Sequence, residues 1–299
     1  MQENKFKIGY FADGPWSHNA FKILVKDSRI KISFIVPRKD TSDQTLKKFS
    51  TDYNIDYLNP EDINSDEFYE KVKKYNCDIF VSLSFNQIFR KRIFNLPRLK
   101  TINCHAGKLP FYRGRNVLNW CLINDEKEFG ITVHMIDEGI DTGDIILQRV
   151  YKISEKDDYK SILNKAHVEC GIILYDAIKK IINNDYTLIK QDSIDPIGFY
   201  CGGRGEGDEL IDWNQNSRQV FNFIRSICHP GPKATTFFKG HEVKINKVEF
   251  IPNIKTYLNK PGQILNKFNG GYIIKTKDTF IKIFEVETEI NLKVGDILQ

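Results

Sequence analysis

A doubly wound α/β domain followed by a small antiparallel β-barrel is the fold that this 299-residue sequence predicts. Over residues 6–83, short apolar runs alternate with amphipathic segments, the pattern of repeated βαβ units. The run IFVSL at 79–83 is almost wholly apolar, as expected of a strand covered on both faces of a parallel sheet. From residue 234 onward the pattern changes to short β-rich runs separated by Gly, Asn and Pro, which suits a closed antiparallel sheet.

Residues 6–11 form the first strand, and Ala12-Asp13-Gly14-Pro15 breaks it ahead of an amphipathic helix over 17–26 that Ser17 is placed to cap. A second strand at 30–36 stops at Pro37. Helices are expected over 41–53, 65–74 and 88–94, with a brief strand at 55–58. In such sheets ligands bind at the carboxyl ends of strands, near the reversal of strand order. Residues 84–88 and 103–105 should therefore open onto one crevice. A long amphipathic helix spans 159–182, with Ile162, Cys170, Ile173, Leu174 and Ala177 near one face. Residues 183–196 are polar and end in Asp195-Pro196, a linker signal. A short helix around 217–227 ends at His229-Pro230-Gly231-Pro232, and β runs follow at 235–238, 243–250, 271–275 and 280–286. The resulting division is a first domain over 1–182, a linker over 183–207 and a second domain over 208–299.

Composition is that of a globular protein, 41% apolar and 28% charged, and the balance of 44 Lys and Arg against 39 Asp and Glu is too mild to call for a nucleic-acid partner. Six scattered cysteines contain no CxxC pair, so neither a zinc framework nor a redox motif is written here, and no metal is expected. They read as reduced thiols. The N-terminal stretch lacks the apolar region of a signal peptide, and no run approaches membrane-span length, which points to a cytoplasmic protein without membrane insertion.

The chemistry concentrates in residues 101–148. Asn103 and His105 sit two apart at the end of a β-rich run, so their side chains point to one side and Cys104 to the other. Gly107 and Leu109-Pro110 then turn the chain, Arg113 and Arg115 place two cations on the same loop, and an acidic, glycine-punctuated loop carries Asp137, Glu138, Asp141 and Asp144. Singly, each residue has a plain alternative. An Asn after a strand commonly caps or turns, and an Asp before Thr-Gly commonly makes an Asx turn.

Together the motifs Asn-x-His-x-x-x-Leu-Pro-x-Tyr-Arg-Gly, Gly-Ile-Thr-Val-His and Asp-x-Gly-x-Asp-Thr-Gly-Asp-Ile resemble those of the folate-dependent formyltransferases, in the same order. That family includes enzymes acting on methionyl-tRNA, on glycinamide ribonucleotide and on nucleotide-linked amino sugars. The resemblance implies a Rossmann-like catalytic domain with an OB-like second domain, 10-formyltetrahydrofolate as formyl donor, and Asn103, His105 and Asp141 as catalytic residues. It places folate against Ser84, Phe85, Asn86, Gln87, Ile88, Asp137 and Gly139, and the acceptor near Gly107, Lys108, Tyr112, Arg113, Arg115 and Arg204, with Trp16 as a further aromatic contact. It also raises a cis bond before Pro110. His134 reads as a structural hydrogen-bonding residue, and 202–207 as a flexible turn.

Arg113-Gly114-Arg115 followed by Val117-Leu118-Asn119-Trp120 resembles the sugar enzymes, especially the one acting on UDP-4-amino-4-deoxyarabinose. The loop after Val36 pairs Arg38 and Lys39 with Asp40 and Asp43, a poor clamp for RNA. The expectation is an N-formyltransferase for a dTDP- or UDP-linked 4-amino sugar destined for surface glycans, with a homodimer allowed. Methionyl-tRNA formyltransferase is the alternative, and a non-catalytic nucleic-acid-binding protein is the alternative of another class.

Overall fold

The structure is a computed structural model describing residues 5–256 and 258–299; the first four residues of the N-terminal reading lie outside the described residues. The chain packs as two compact units. One takes the chain up to Gly114 together with Phe129–Tyr151 and Asn164–Tyr200; the other takes Arg115–Glu128, Lys152–Leu163 and Cys201–Gln299.

The first unit is built on strands β1 (Phe6–Ala12), β2 (Ile30–Val36), β3 (Asp56–Tyr57), β4 (Ile79–Leu83), β5 (Thr101–His105), β7 (Glu128–Met135) and β8 (Ile145–Lys152), in the order β3-β2-β1-β4-β5-β7-β8. The short β6 (Arg113–Gly114) lies between β5 and β7 in sequence. Strand β1 pairs in parallel with β2 and β4, and β4 with β5, so the order reverses at β1 as the doubly wound reading requires. Beyond β5 the sheet turns antiparallel, with Asn103 opposite His134 and His105 opposite Thr132 on β7. The ring of Phe11 packs 5.7 Å from Phe34, 5.2 Å from Phe80 and 4.9 Å from Phe89, tilted or edge-on, a filling that suits sheet-to-helix gaps.

Helix α1 (Gly14–Leu24) starts three residues before the expected cap. Gly14 takes a φ of +68°, Pro15 presets the first turn, and Asp13 stands at the N-cap position. Ser17 is thus inside the helix, donating to the Gly14 carbonyl at 2.8 Å. Helices α2 (Gln44–Asp52) and α3 (Asp66–Lys73) begin at Asp43 and Ser65, each accepting a backbone N–H three residues on. The helix expected over 88–94 shrinks to α4 (Lys91–Phe94), while α6 (Tyr159–Ile182) keeps its expected bounds.

In the second unit, α5 (Val117–Ile123) and α7 (Ser217–Ser226) accompany an antiparallel sheet of β10 (Ala234–Phe238), β11 (His241–Glu249), β12 (Ile264–Phe268), β13 (Gly271–Lys275) and β14 (Phe280–Glu287), in the order β10-β11-β14-β13-β12. The two-residue β9 (Tyr200–Cys201) precedes them. The sequence reading lacked β12, whose residues ILNKF contain only three apolar side chains. The last residues close the sheet into a ring. Phe237 and Gln299 exchange backbone hydrogen bonds of 2.9 and 2.8 Å, while Leu298 N donates to Gly262 O at 2.9 Å and Ile264 N to Asp296 O at 2.8 Å. Trp213, Ile224, Ile245, Ile274, Ile283 and Leu298 fill its core. Arg218 donates to both Asp125 and Glu155, and the buried Arg225 donates to the carbonyls of Ser154 and Asp157 at 3.1 and 3.2 Å. Burial opposes the charge on Asp125, yet hydrogen bonds from Arg218 and Lys127 pull its carboxyl down to about 2. These ties bind two early chain segments to α7.

Candidate functional site

The strand β5 presents Asn103 and His105 on one face, and the turn after β7 brings Asp141 against both. Asp141 Oδ1 lies 3.4 Å from Asn103 Nδ2 and 3.4 Å from His134 Nε2. Its Oδ2 accepts the Gly114 N–H at 2.9 Å and lies 3.6 Å from His105 Nδ1. Burial raises the Asp141 pKa, but the facing charge of His105, the contacts with His134 and the Gly114 N–H outweigh it and hold the carboxyl well below the usual range.

Both imidazoles have one nitrogen committed to a carbonyl, which can only accept. His105 Nε2 donates to Tyr112 O at 2.7 Å, so in the neutral ring Nδ1 turns its lone pair toward Asp141. His134 Nδ1 donates to Met135 O at 2.8 Å, which leaves Nε2 as an acceptor for the Asn103 amide at 3.3 Å. The Asn103 amide thus has two long contacts, 3.3 and 3.4 Å, and both can yield to a stronger acceptor. His134 belongs to the group. The antiparallel register of β5 and β7 sets it opposite Asn103, a pairing that the motif alone does not reveal.

Behind these side chains, Thr132 donates to Gly107 O at 2.7 Å, and Gln148 Nε2 donates to Thr132 Oγ1 at 2.8 Å and to Leu109 O at 2.9 Å. A Cβ on Gly107 would collide with His105 Nε2 and with Tyr112 O, so the bare glycine lets that hydrogen bond close. The Leu109-Pro110 bond is cis. Arg113, 7% exposed, sends Nε and Nη2 to Gln191 Oε1 at 3.0 and 2.8 Å rather than to solvent, and its backbone N–H goes to Phe199 O at 3.2 Å. Gln191 has no precedent in the sequence reading, which treated its segment as linker.

In the 84–88 loop Ser84 has a φ of +58°, Phe85 packs 5.6 Å from Phe11, Asn86 donates to Asp40 at 3.2 Å, and Gln87 accepts from Ile63 N at 3.0 Å. Ile88 is 67% exposed, an apolar side chain left open to solvent. Asp137 accepts from Gly139 N at 3.0 Å and from Thr142 Oγ1 at 2.5 Å, an Asx turn that shapes the approach to Asp141. The stem of Lys108 lies over Gly130. Trp16 stands edge-on to His167 at 4.4 Å, and burial lowers the pKa of that histidine. Arg115 and Arg204 fall in the second unit. There Arg115 is exposed, while the Arg204 guanidinium lies 5.4 Å from the Trp120 ring and 5.6 Å from Phe223, and donates to Asp208 O.

The turn carrying Asp141 has no slack at Gly143, where a Cβ would fall far inside contact distance of the Met135 carbonyl oxygen. Backbone cannot swing aside as a side chain can. Gly143→Ala should therefore shift Asp141 and lower kcat by about 10²-fold, the cost of a misplacement near 1 Å, with a loss of roughly 1–3 kcal/mol in folding stability. Steady-state kinetics and denaturant titration check the two together.

A profile of the formyl transferase family matches residues 20–178, and a profile of the formyl transferase C-terminal domain matches residues 206–295. A methionyl-tRNA formyltransferase from Geobacter metallireducens is 31% identical over 82% of this chain and 76% of its own length. The bifunctional polymyxin resistance protein ArnA of Wigglesworthia glossinidia brevipalpis is 35% identical over 83% of this chain, which spans 37% of that protein. Among solved structures, WlaRD, a sugar 3N-formyl transferase in the presence of dTDP and 5-N-formyl-THF, is similar with a TM-score of 0.71 and 26% identity, covering 97% of this chain and 100% of that one. An N-formyltransferase from Helicobacter canadensis shares the fold, with a TM-score of 0.69 and 22% identity over 95% of this chain and 100% of that chain.

Proposed function

The chain belongs to the formyl transferase family, it is an N-formyltransferase, and from that premise we propose that it formylates the amine of a nucleotide-linked amino-deoxy sugar, with 10-formyltetrahydrofolate as donor. The observation that carries the reading is the meeting of Asn103, His105 and Asp141 at the carboxyl end of β5. In this reaction a bond forms between the acceptor nitrogen and the formyl carbon, the bond from that carbon to the donor nitrogen breaks, and one proton passes from acceptor to donor nitrogen. Asn103 turns its amide from its two long contacts to the formyl oxygen as negative charge develops there. His105 stands beside the same oxygen, held by the Tyr112 carbonyl, and Asp141, ionised in the free protein, takes up the acceptor's proton directly or through water and releases it for the donor nitrogen.

Residues 84–88 with Asp137 and Gly139 are assigned to the pterin, because Glu138, between the latter two, pairs at 3.0 Å with Lys91 just past the first loop, and Ile88 is an apolar side chain left open to solvent. Gly107, Lys108 and Tyr112 are kept for the acceptor. The division into a catalytic domain over 1–182, a linker and a second domain over 208–299 is supported by the profile matches at 20–178 and 206–295. The sugar reading is supported by the likeness to WlaRD over 97% of the chain. The second reading, methionyl-tRNA as acceptor, is favoured by sequence relatives of that name at 31 and 32% identity.

Tetrahydrofolate release from 10-formyltetrahydrofolate, measured with a panel of dTDP-, UDP- and GDP-amino sugars and with initiator methionyl-tRNA, separates the two. Turnover with one amino sugar is the expected result. Turnover with the charged tRNA alone replaces the acceptor and leaves the roles of the three residues standing.

A further inference from the structure

We propose that Gln191 is a positioning residue for formyl transfer, clamping the Asp141 turn to the turn at Arg113 and Gly114 so that one carboxylate stands between two histidines. The inference rests on the catalytic role proposed for Asp141 above. Gln191 lies on a single 3-10 turn, Gln191–Ser193, in a segment of polar composition, yet it is 2% exposed. A buried amide must satisfy one acceptor oxygen and two N–H donors, and here all are engaged. Oε1 accepts from Arg113 Nε and Nη2 at 3.0 and 2.8 Å, and Nε2 donates to the backbone carbonyls of Asp141 and Gly143, both at 2.8 Å.

The two halves of that amide act on opposite sides of one hydrogen bond. Arg113 immediately precedes Gly114, whose N–H donates to Asp141 Oδ2 at 2.9 Å, and the other half holds the Asp141 backbone itself. Asp141 has a φ of +53°, a left-handed conformation uncommon outside glycine, which the hydrogen bond to its carbonyl helps to hold. Gln191 makes that hydrogen bond without touching the carboxylate. Only a carboxamide does both jobs with one planar group, and asparagine is one methylene shorter. A glutamate keeps the acceptor for Arg113 but sets a carboxylate oxygen against two carbonyls, and a lysine donates but cannot accept.

The groups facing Asp141 are Asn103 and His105 on β5, His134 on β7 and the Gly114 N–H, so a displaced carboxylate is reported by the two imidazoles. The test uses Gln191→Glu, which retains a partner for Arg113 and hence the fold, and Gln191→Met, which adds no charge. For both variants kcat is expected to fall by about 10²-fold with the KM for 10-formyltetrahydrofolate within about threefold. The imidazole ¹⁵N signals of His105 and His134, recorded without substrate, should move in the direction that Asp141→Asn moves them. Turnover retained within about threefold of wild type overturns the proposal, as does a fall in turnover with unmoved imidazole signals or one that only follows the loss of folded protein in a thermal melt. If Asp141→Asn itself turns over normally, the catalytic reading of Asp141 fails. If Asp141→Asn is inactive while Gln191→Glu is active, only the clamp fails.

Discussion

Asp141→Asn is expected to lower kcat by about 10² to 10⁴-fold, the range for removing a group that moves or directs a proton. The substitution is nearly isosteric. An amide oxygen can still accept the Gly114 N–H, so the turn keeps its hydrogen bond while the negative charge 3.6 Å from His105 Nδ1 disappears. The same change has a signature in stability. Because the folded pKa of Asp141 lies below the unfolded value of about 3.9, its ionised form stabilises the fold fully above that value, and the contribution is lost as pH falls through the folded pKa. Wild type should therefore exceed Asp141→Asn in unfolding free energy at about pH 5, with the margin closing in strong acid as Asp141 takes up its proton. Urea titrations across pH measure it, and a margin already absent at about pH 5 would contradict the held-down carboxyl. By the same token, any acid fall in rate above about pH 5 belongs to groups other than Asp141.

Asn103→Ala is expected to cost about 10² to 10³-fold in kcat, as for loss of one donor to a developing oxyanion. The KM for 10-formyltetrahydrofolate should hardly change, because the amide's contacts in the free protein are long and its strong hydrogen bond is made only in the transition state. The melting temperature should also stay close to that of wild type, since no short hydrogen bond is removed. A rise in KM with kcat intact would instead make Asn103 a ground-state binding residue.

The parts of this protein that were legible in the sequence are those with a local signature. The apolar periodicity of α6 marked both its ends, the nearly unbroken apolar run of β4 announced a strand covered on both faces, and the ordered motifs fixed Asn103, His105 and Asp141 as a set. What escaped depends on partners far along the chain. His134 acquires its neighbour only through the antiparallel turn of the sheet, and Gln191, among polar residues, is buried because Arg113 and two carbonyls 48 and 50 residues away surround it. Arg113 illustrates the converse. A cation next to the loop after Asn103 and His105 suggests an anionic ligand, but its guanidinium faces a neutral amide.

The second unit also has a consequence for the order in which the chain matures on the ribosome. Its segments at 115–128 and 152–163 emerge well before α7, so Asp125 and Glu155 wait for Arg218, and the apolar faces of α5 wait for partners about a hundred residues downstream. The ring of strands waits longest, since it closes on Gln299. Synthesis thus holds part of one unit open while the other is being completed, and that interval is when a chaperone or an interrupted message would matter most to the yield of folded protein.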